Sequence, residues 1–305
     1  MRDAFADEIT KLAAQDERVV LLSGDIGNRM FDKFKAGAPD RFYNCGVAEA
    51  NMMSVAAGLG LCGLRPVVYT ITPFTTTRCF EQIRVDACYH RSPVIIVGTG
   101  SGLSYATLGP THHSLEDIAI LRTLPGMTVF CPCDAMEVRA GLRAALKQDN
   151  PVYIRLGKKG EPVIHPDIPN ITLGKSYTIR QGSDLCLLST GNTMPLALEA
   201  ADALAAQGVS VRVESVHTVK PLDTVMLAEV FSRYKVVAVI EEHGVIGGLY
   251  GAVAEWRGTQ SFPARLAHFG TEDRFYHRVG SQAQLRESSG LTRDGIVEGL
   301  LKAAA

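Results

Sequence analysis

The sequence predicts an α/β protein of two domains, each a largely parallel β-sheet flanked by helices. Three observations lead there. Short β-branched runs alternate with longer Ala-, Leu- and charge-rich segments of helical period. A Pro- and Gly-rich stretch without period interrupts that alternation near mid-chain. The chain's 305 residues, 46% of them hydrophobic, are enough for two ordinary cores.

In chain order, "RVVLLSG", "RPVVYTI", "SPVIIVG", "MTVFCP" and "PVYIRL" read as buried strands separated by helical segments. Next comes "GKKGEPVIHPDIPN", with three prolines and two glycines, which is the expected linker. Alternation resumes with "DLCLLST", "VSVRVES", "YKVVAVIEE" and "PARLAHF". The expected divisions are residues 1–160, a linker at 161–175, and a second domain at 176–305. The run "NCGVAEANMMSVAAGLGL" reads as a helix packed on all sides that carries a single carboxylate, Glu49, in its first turn.

Charge argues against a polyanionic partner. Thirty-one basic and 32 acidic residues are interspersed, the net charge is -1, and no basic face or block of like charge emerges. Seven cysteines, an odd number spread from Cys45 to Cys186, suit a reduced, cytoplasmic protein rather than a disulfide framework. No charged-then-apolar segment opens the sequence, and no apolar run is long enough to cross a bilayer. Cys131 and Cys133 have no Cys or His at a second-ligand spacing, so they read as packing residues at a strand end rather than as zinc ligands.

Open parallel sheets bind ligands beyond the carboxyl ends of their strands. The polar residues there include Asp25, Asn28, Arg29, Glu49, Arg78, His112 and Arg155, with Phe74 among them.

Four strings carry a resemblance: "GVAEANM" at Gly46 to Met52, "GPTHHSLEDIAILRTLPGM" at Gly109 to Met127, "VKPLD" at Val219 to Asp223 and "EEHGVIGG" at Glu241 to Gly248. They resemble, in order, the second half of the transketolase family of thiamine diphosphate enzymes: its pyrimidine-binding domain followed by its C-terminal domain. The family's Gly-Asp-Gly motif, which with a later Asn holds Mg²⁺ and the cofactor diphosphate, has only "SGDIGN" as its nearest string here. The resemblance therefore implies one subunit of a split transketolase without its own metal site. A partner subunit carrying the diphosphate-binding domain would hold Mg²⁺ or Ca²⁺, and the assembly is expected to be two-fold, with two of each subunit. Isolated, the chain is expected to bind thiamine diphosphate weakly or not at all.

By the same resemblance, Glu49 hydrogen-bonds a ring nitrogen of the aminopyrimidine, as a protonated acid whose pKa burial raises. Its alternative role is to complement the helix dipole, worth about 0.3–1 kcal/mol. His112 matches a histidine that contacts substrate oxygens near the reacting carbon; His113 reads instead as a cap for a helix beginning near Ser114. Phe74 is the expected pyrimidine-stacking ring, although the family's aromatic cluster fits only after a shift of a residue or two. Phe80 reads equally well as core. Asp25 and Arg78 complete the cofactor side, Asp25 alternatively as a turn former.

At the substrate end, Arg155 and Arg2 match family arginines that suit an oxyanion. The usual cationic anchor is replaced by Gly100 and Ser101, Leu108 stands where an Asp reads the C2 hydroxyl, and Arg29 replaces a phosphate-contacting Ser. These departures imply an unusual anionic sugar, such as a branched-chain sugar phosphate or a sulfonated sugar. The rivals are a 1-deoxyxylulose-5-phosphate synthase fragment, a 2-oxo acid dehydrogenase beta subunit, and a non-catalytic scaffold subunit. A free-standing nicotinamide-binding domain lacks its glycine fingerprint.

Overall fold

A computed structural model describes residues 1–27 and 29–304. Asn28, one of the strand-end candidates, lies outside the described residues. The first half runs through α1 (Arg2–Gln15), β1 (Val19–Ser23), α2 (Asp32–Gly37), β2 (Phe42–Asn44), α3 (Glu49–Leu61) and β3 (Arg65–Ile71). It continues with the single turns α4 (Thr72–Thr75) and α5 (Phe80–Gln82), β4 (Ile95–Thr99), α6 (Asp117–Arg122), β5 (Thr128–Phe130), α7 (Ala135–Ala145) and β6 (Val152–Leu156). The second half comprises β7 (Tyr177–Arg180), β8 (Leu185–Ser189), α8 (Met194–Ala205), β9 (Val211–Ser215), β10 (Thr218–Lys220), α9 (Thr224–Arg233) and β11 (Val236–Gly244). It closes with α10 (Leu249–Arg257), β12 (Arg265–Thr271), α11 (Gln282–Ser288) and α12 (Arg293–Ala304).

All nine apolar runs form strands. Strands β2, β7 and β10 are additional, and all are short. The first sheet is ordered β10-β5-β6-β4-β3-β1-β2 and is parallel except for β10; the second is ordered β12-β11-β8-β9-β7 and is parallel except for β7. Alternate residues of β1 enter the two cores on either side of the first sheet: Val19 and Leu21 join α1 and α7, while Val20 and Leu22 join α3. Because β10 follows the linker yet pairs with β5, the second domain contributes a strand to the first sheet. Among the described residues, no helix is long and apolar enough to cross a membrane.

The expectation for α3 needs correction. Met52, Met53, Ala56 and Ala57 are buried against the sheet, but Asn51, Ser54, Val55, Gly58 and Leu61 form an exposed face. Val47 and Tyr89, both more than three-quarters exposed, are further apolar side chains open to solvent. The run expected to be packed on all sides is thus covered by this chain on one face only.

Candidate active site

Chain order fixes where a ligand can sit. From β1 the chain moves outward to β2, then crosses back to β3 on the other side of β1, so a crevice opens beyond the carboxyl ends of β1 and β3. Asp25 follows β1, Glu49 comes five residues after β2, Phe74 and Arg78 follow β3, and His112 follows β4.

Glu49 is 2% exposed and lies in the first turn of α3, behind a helix start without a side-chain cap. Its Oε1 accepts a hydrogen bond from the half-exposed Arg78 guanidinium at 2.8 Å, while Oε2 is buried with no partner. The lone acid expected from the sequence is thus one half of an ion pair, with its second oxygen left without a partner. The Arg78 guanidinium carbon stands 4.1 Å from the centroid of the Phe74 ring, a cation–π contact. The His112 ring meets that ring edge-on at 5.1 Å. Glu49, Arg78, Phe74 and His112 therefore form one contiguous group, and Phe80 packs against the core instead.

His112 Nδ1 pairs with the Thr111 hydroxyl at 2.9 Å, which leaves Nε2 to face outward. Partial burial, and then the nearby Arg78 charge, hold this imidazole below its ordinary pKa, so it is neutral at pH 7. The expectation for His113 does not hold: α6 begins at Asp117, and the buried His113 ring makes no well-formed hydrogen bond at either nitrogen.

Asp25 takes a left-handed backbone conformation (φ 57°) and accepts from Asn44 Nδ2 at 2.9 Å; Asn44 Oδ1 in turn accepts the Gly46 N–H at 3.0 Å. This bridge fixes the turn that leads into Glu49. Asn44 was not singled out in the sequence; its signal is an Asx-type turn immediately before a helix.

Beyond His112, Arg2 lies close to Tyr105, and the Lys158 ammonium sits 4.7 Å from the centroid of the Tyr105 ring. That ring is 6.1 Å from His112. Gly100 is required here: its φ is +81° and a Cβ would run into the Tyr105 ring, so the position cannot carry a cationic side chain. Leu108 is half-exposed beside the Gly109 turn, and Arg29 is exposed before α2.

Arg155 is elsewhere. It is 1% exposed in the middle of β6, with Nε 2.7 Å from Asp117 Oδ2 and Nη2 donating to Asp117 Oδ1, Ser114 O and Glu242 O. Tyr153 donates to the same Asp117 at 2.6 Å. A guanidinium committed in this way does not reach an oxyanion in the cleft, so its expected phosphate contact is not supported. Its role is to tie the end of the His112 loop, α6 and the second domain together.

The second domain has its own crevice, between β8 and β11, and that crevice is filled from within the protein. Buried Glu242 accepts from Gln282, Arg286 and the Leu103 N–H, while Leu103 and Ala106 pack on Tyr276 and Leu285. Glu241 accepts the Leu249 and Tyr250 N–H groups at the start of α10, and His243 Nε2 accepts from the Ala119 N–H. The "EEH" string therefore joins the domains and seats the loop that carries His112.

Comparisons with known proteins place both domains in one family. Residues 1–161 match the family described as "Transketolase, pyrimidine binding domain", and residues 174–296 match "Transketolase, C-terminal domain". The chain is 38% identical to the 6-deoxy-6-sulfo-D-fructose transketolase subunit SqwH of Clostridium sp. (strain MSTE9), covering 97% of this chain and 92% of that one. It is 32% identical to a subunit of the apulose-4-phosphate transketolase of Phocaeicola vulgatus, covering 99% and 96% respectively. A solved structure described as a split gene transketolase, inactive beta4 tetramer, superposes with a TM-score of 0.89 at 35% identity, covering 99% of this chain and 97% of that chain. The chain therefore belongs to the transketolase family, of which it carries the pyrimidine-binding domain and the C-terminal domain.

Proposed function

We propose that this chain is one subunit of a two-component, thiamine diphosphate-dependent transketolase that moves a two-carbon ketol unit from an anionic ketose to an aldose. The observation that carries the proposal is the buried, unpartnered Glu49 Oε2 beside Phe74 and His112. A buried carboxyl oxygen without a partner is costly, and a pyrimidine ring nitrogen, as the acceptor for a proton on that oxygen, would give it one. Thiamine diphosphate, when bound, supplies the electron sink for cleaving the carbon–carbon bond.

The chain's own residues do the rest. Glu49 holds a proton at Oε2 against the pyrimidine, Phe74 offers its ring, and Arg78 and Asp25 border the same crevice. His112, neutral at pH 7, turns Nε2 toward the substrate oxygens and can hold a proton there. Lys158 and Arg2, gathered at Tyr105, grip the anionic end of the sugar, with Arg29 as a third cation. Leu108 imposes no demand on the C2 hydroxyl. The two relatives named above act, by their names, on a sulfonated sugar and on a sugar phosphate, which favours an anionic donor outside the ordinary pentose phosphates. A partner subunit holds Mg²⁺ or Ca²⁺ and the diphosphate. The exposed face of α3 supports a two-fold assembly of two of each subunit, and seven free cysteines suit the cytoplasm.

Reconstitution with the partner subunit tests the reading. Turnover of a sulfonated or branched sugar phosphate donor, with ketol transfer to an aldehyde and no CO₂ release, is the expected result. Release of CO₂ from a 2-oxo acid would favour the synthase or dehydrogenase reading, and an active Glu49→Gln complex would end the catalytic reading.

A further inference from the structure

Away from the cleft, three potential ligand atoms converge where the linker meets both domains. Cys133 lies just beyond β5, Glu137 in the first turn of α7, and His165 on the linker; each offers a ligand atom within 4.8 Å of the other two, and all three residues are buried. Glu137 Oε2 accepts the Cys133 N–H at 2.7 Å, but its Oε1 has no partner. Neither nitrogen of His165 makes a well-formed hydrogen bond, although the residue is 4% exposed. A self-contained polar cluster would close these atoms into hydrogen bonds; here an acceptor oxygen and a ring nitrogen face each other 3.7 Å apart, beyond hydrogen-bond distance.

We propose that Cys133, Glu137 and His165 bind a zinc-type divalent cation that pins the linker to both domains. The sulfur, nitrogen and oxygen donor set suits Zn²⁺ and its Co²⁺ substitute, whereas Ca²⁺ and Mg²⁺ take oxygen alone. Donors at zinc distances stand roughly 3.3–3.8 Å from one another, so the 3.7 Å between His165 Nε2 and Glu137 Oε1 already matches, and the sulfur needs to close by at most about 1 Å. Behind the histidine, Asp134 Oδ2 lies 3.2 Å from Nδ1 and also accepts the Ile164 and His165 N–H groups, the carboxylate support typical of a ligating imidazole. As the metal enters, the Cys133 thiol proton and any proton on Glu137 pass to solvent. Tyr177 of β7 meets the His165 ring edge-on at 4.9 Å, and Ser215 of β9 borders Cys133 and Glu137, so the ion would sit against both domains. This site is independent of the transketolase reading.

The test uses the full-length chain, purified after expression with added zinc and dialysed to remove loosely held metal. About one zinc per chain is expected. Exchange for Co²⁺ should produce thiolate-to-cobalt charge-transfer absorption that disappears in Cys133→Ser and persists in Cys131→Ser. His165→Gln should weaken metal retention by at least about tenfold. Circular dichroism of each variant separates loss of ligand from loss of fold, and the wild-type measurements stand without any variant. A wild-type chain that retains no metal and gives no charge-transfer band with Co²⁺ would overturn the proposal, because an ordered water would then suffice for the orphaned atoms. A band that survives in a folded Cys133→Ser chain would overturn it equally.

Discussion

Arg78 donates to Glu49 Oε1 at 2.8 Å while Oε2 of the same carboxylate stays buried and unpartnered. The two oxygens therefore have separate tasks, one anchoring the side chain and one facing the crevice. Glu49→Gln keeps the shape but places an amide where a proton-holding acid is needed. Turnover of the reconstituted complex should fall by at least about 10²–10⁴-fold, the range for a positioned acid or base, with assembly unchanged by size-exclusion chromatography. Arg78→Ala, which strips a buried carboxylate of its partner, should lower the thermal midpoint as well as activity.

Arg155 and Lys158 are three residues apart and should behave in opposite ways. Arg155→Leu leaves Asp117 buried without its counter-charge, so about 3–5 kcal/mol of stability should go, read by denaturant unfolding. Lys158→Ala removes an accessible cation beside Tyr105 and should leave unfolding almost untouched. Its effect should be a rise in KM for the anionic donor, about 10- to 100-fold in kcat/KM for one charge-assisted contact. If Arg155→Leu changed KM without changing stability, the guanidinium would have to reach substrate after all.

The same arginine and lysine positions also mark where the sequence was legible. Every apolar run became a strand, most of them buried along their whole length between the helices on either face of a sheet. Strands β2 and β7 are short, poorly buried edge strands without an apolar run, and β10 forms only because β5 offers an edge. The strings that carry Glu49, His112 and Phe74 all follow strand ends, and the fold brings these three residues into one group. Arg155 misled because it matched a family position, yet its place inside the apolar string "VYIRL" is the signature of a buried ion pair, while Lys158 follows the strand's end where ligands bind. Neither the Glu242–Leu103 contact, spanning 139 residues, nor the approach of His165 to Cys133 has a local signal, because each arises only when both domains close.

Stability should depend on pH through His217. This histidine is 1% exposed, packed edge-on against Phe130, and hydrogen-bonded to the Thr218 hydroxyl. Burial, and then the neighbouring His165, lower its pKa to about 4, against about 6.5 in an unfolded chain. Between those values the unfolded chain binds more protons, so the His217 contribution is intact above about 6.5 and is lost as pH falls toward 4, by roughly 2–3 kcal/mol. Thermal midpoints measured from pH 7 to pH 4 should decline, and His217→Gln should flatten the decline. Parallel wild-type and variant curves would show that other groups govern the acid limb.

Glu242 tests whether the C-terminal domain acts on the cleft at a distance. Its carboxylate accepts the Leu103 N–H at 2.6 Å and receives Gln282 and Arg286 from α11, so one buried charge holds the start of the loop that ends at His112. The loop's two ends are further tied by the Gly102 and Ser114 bridge, and Gly102 has room only for a hydrogen because Glu242 lies against it. Glu242→Ala leaves Arg286 without its counter-charge and Leu103 without an acceptor, so the loop should open locally before the domain unfolds. Hydrogen exchange of the Leu103 and Ser114 amides should accelerate by at least about tenfold, and kcat should fall with KM for the donor nearly constant, since Lys158 and Arg2 are untouched. Protected amides with lost activity would mean that Glu242 acts on the reaction by another route. Faster exchange with full activity would mean that His112 does not need the loop held still.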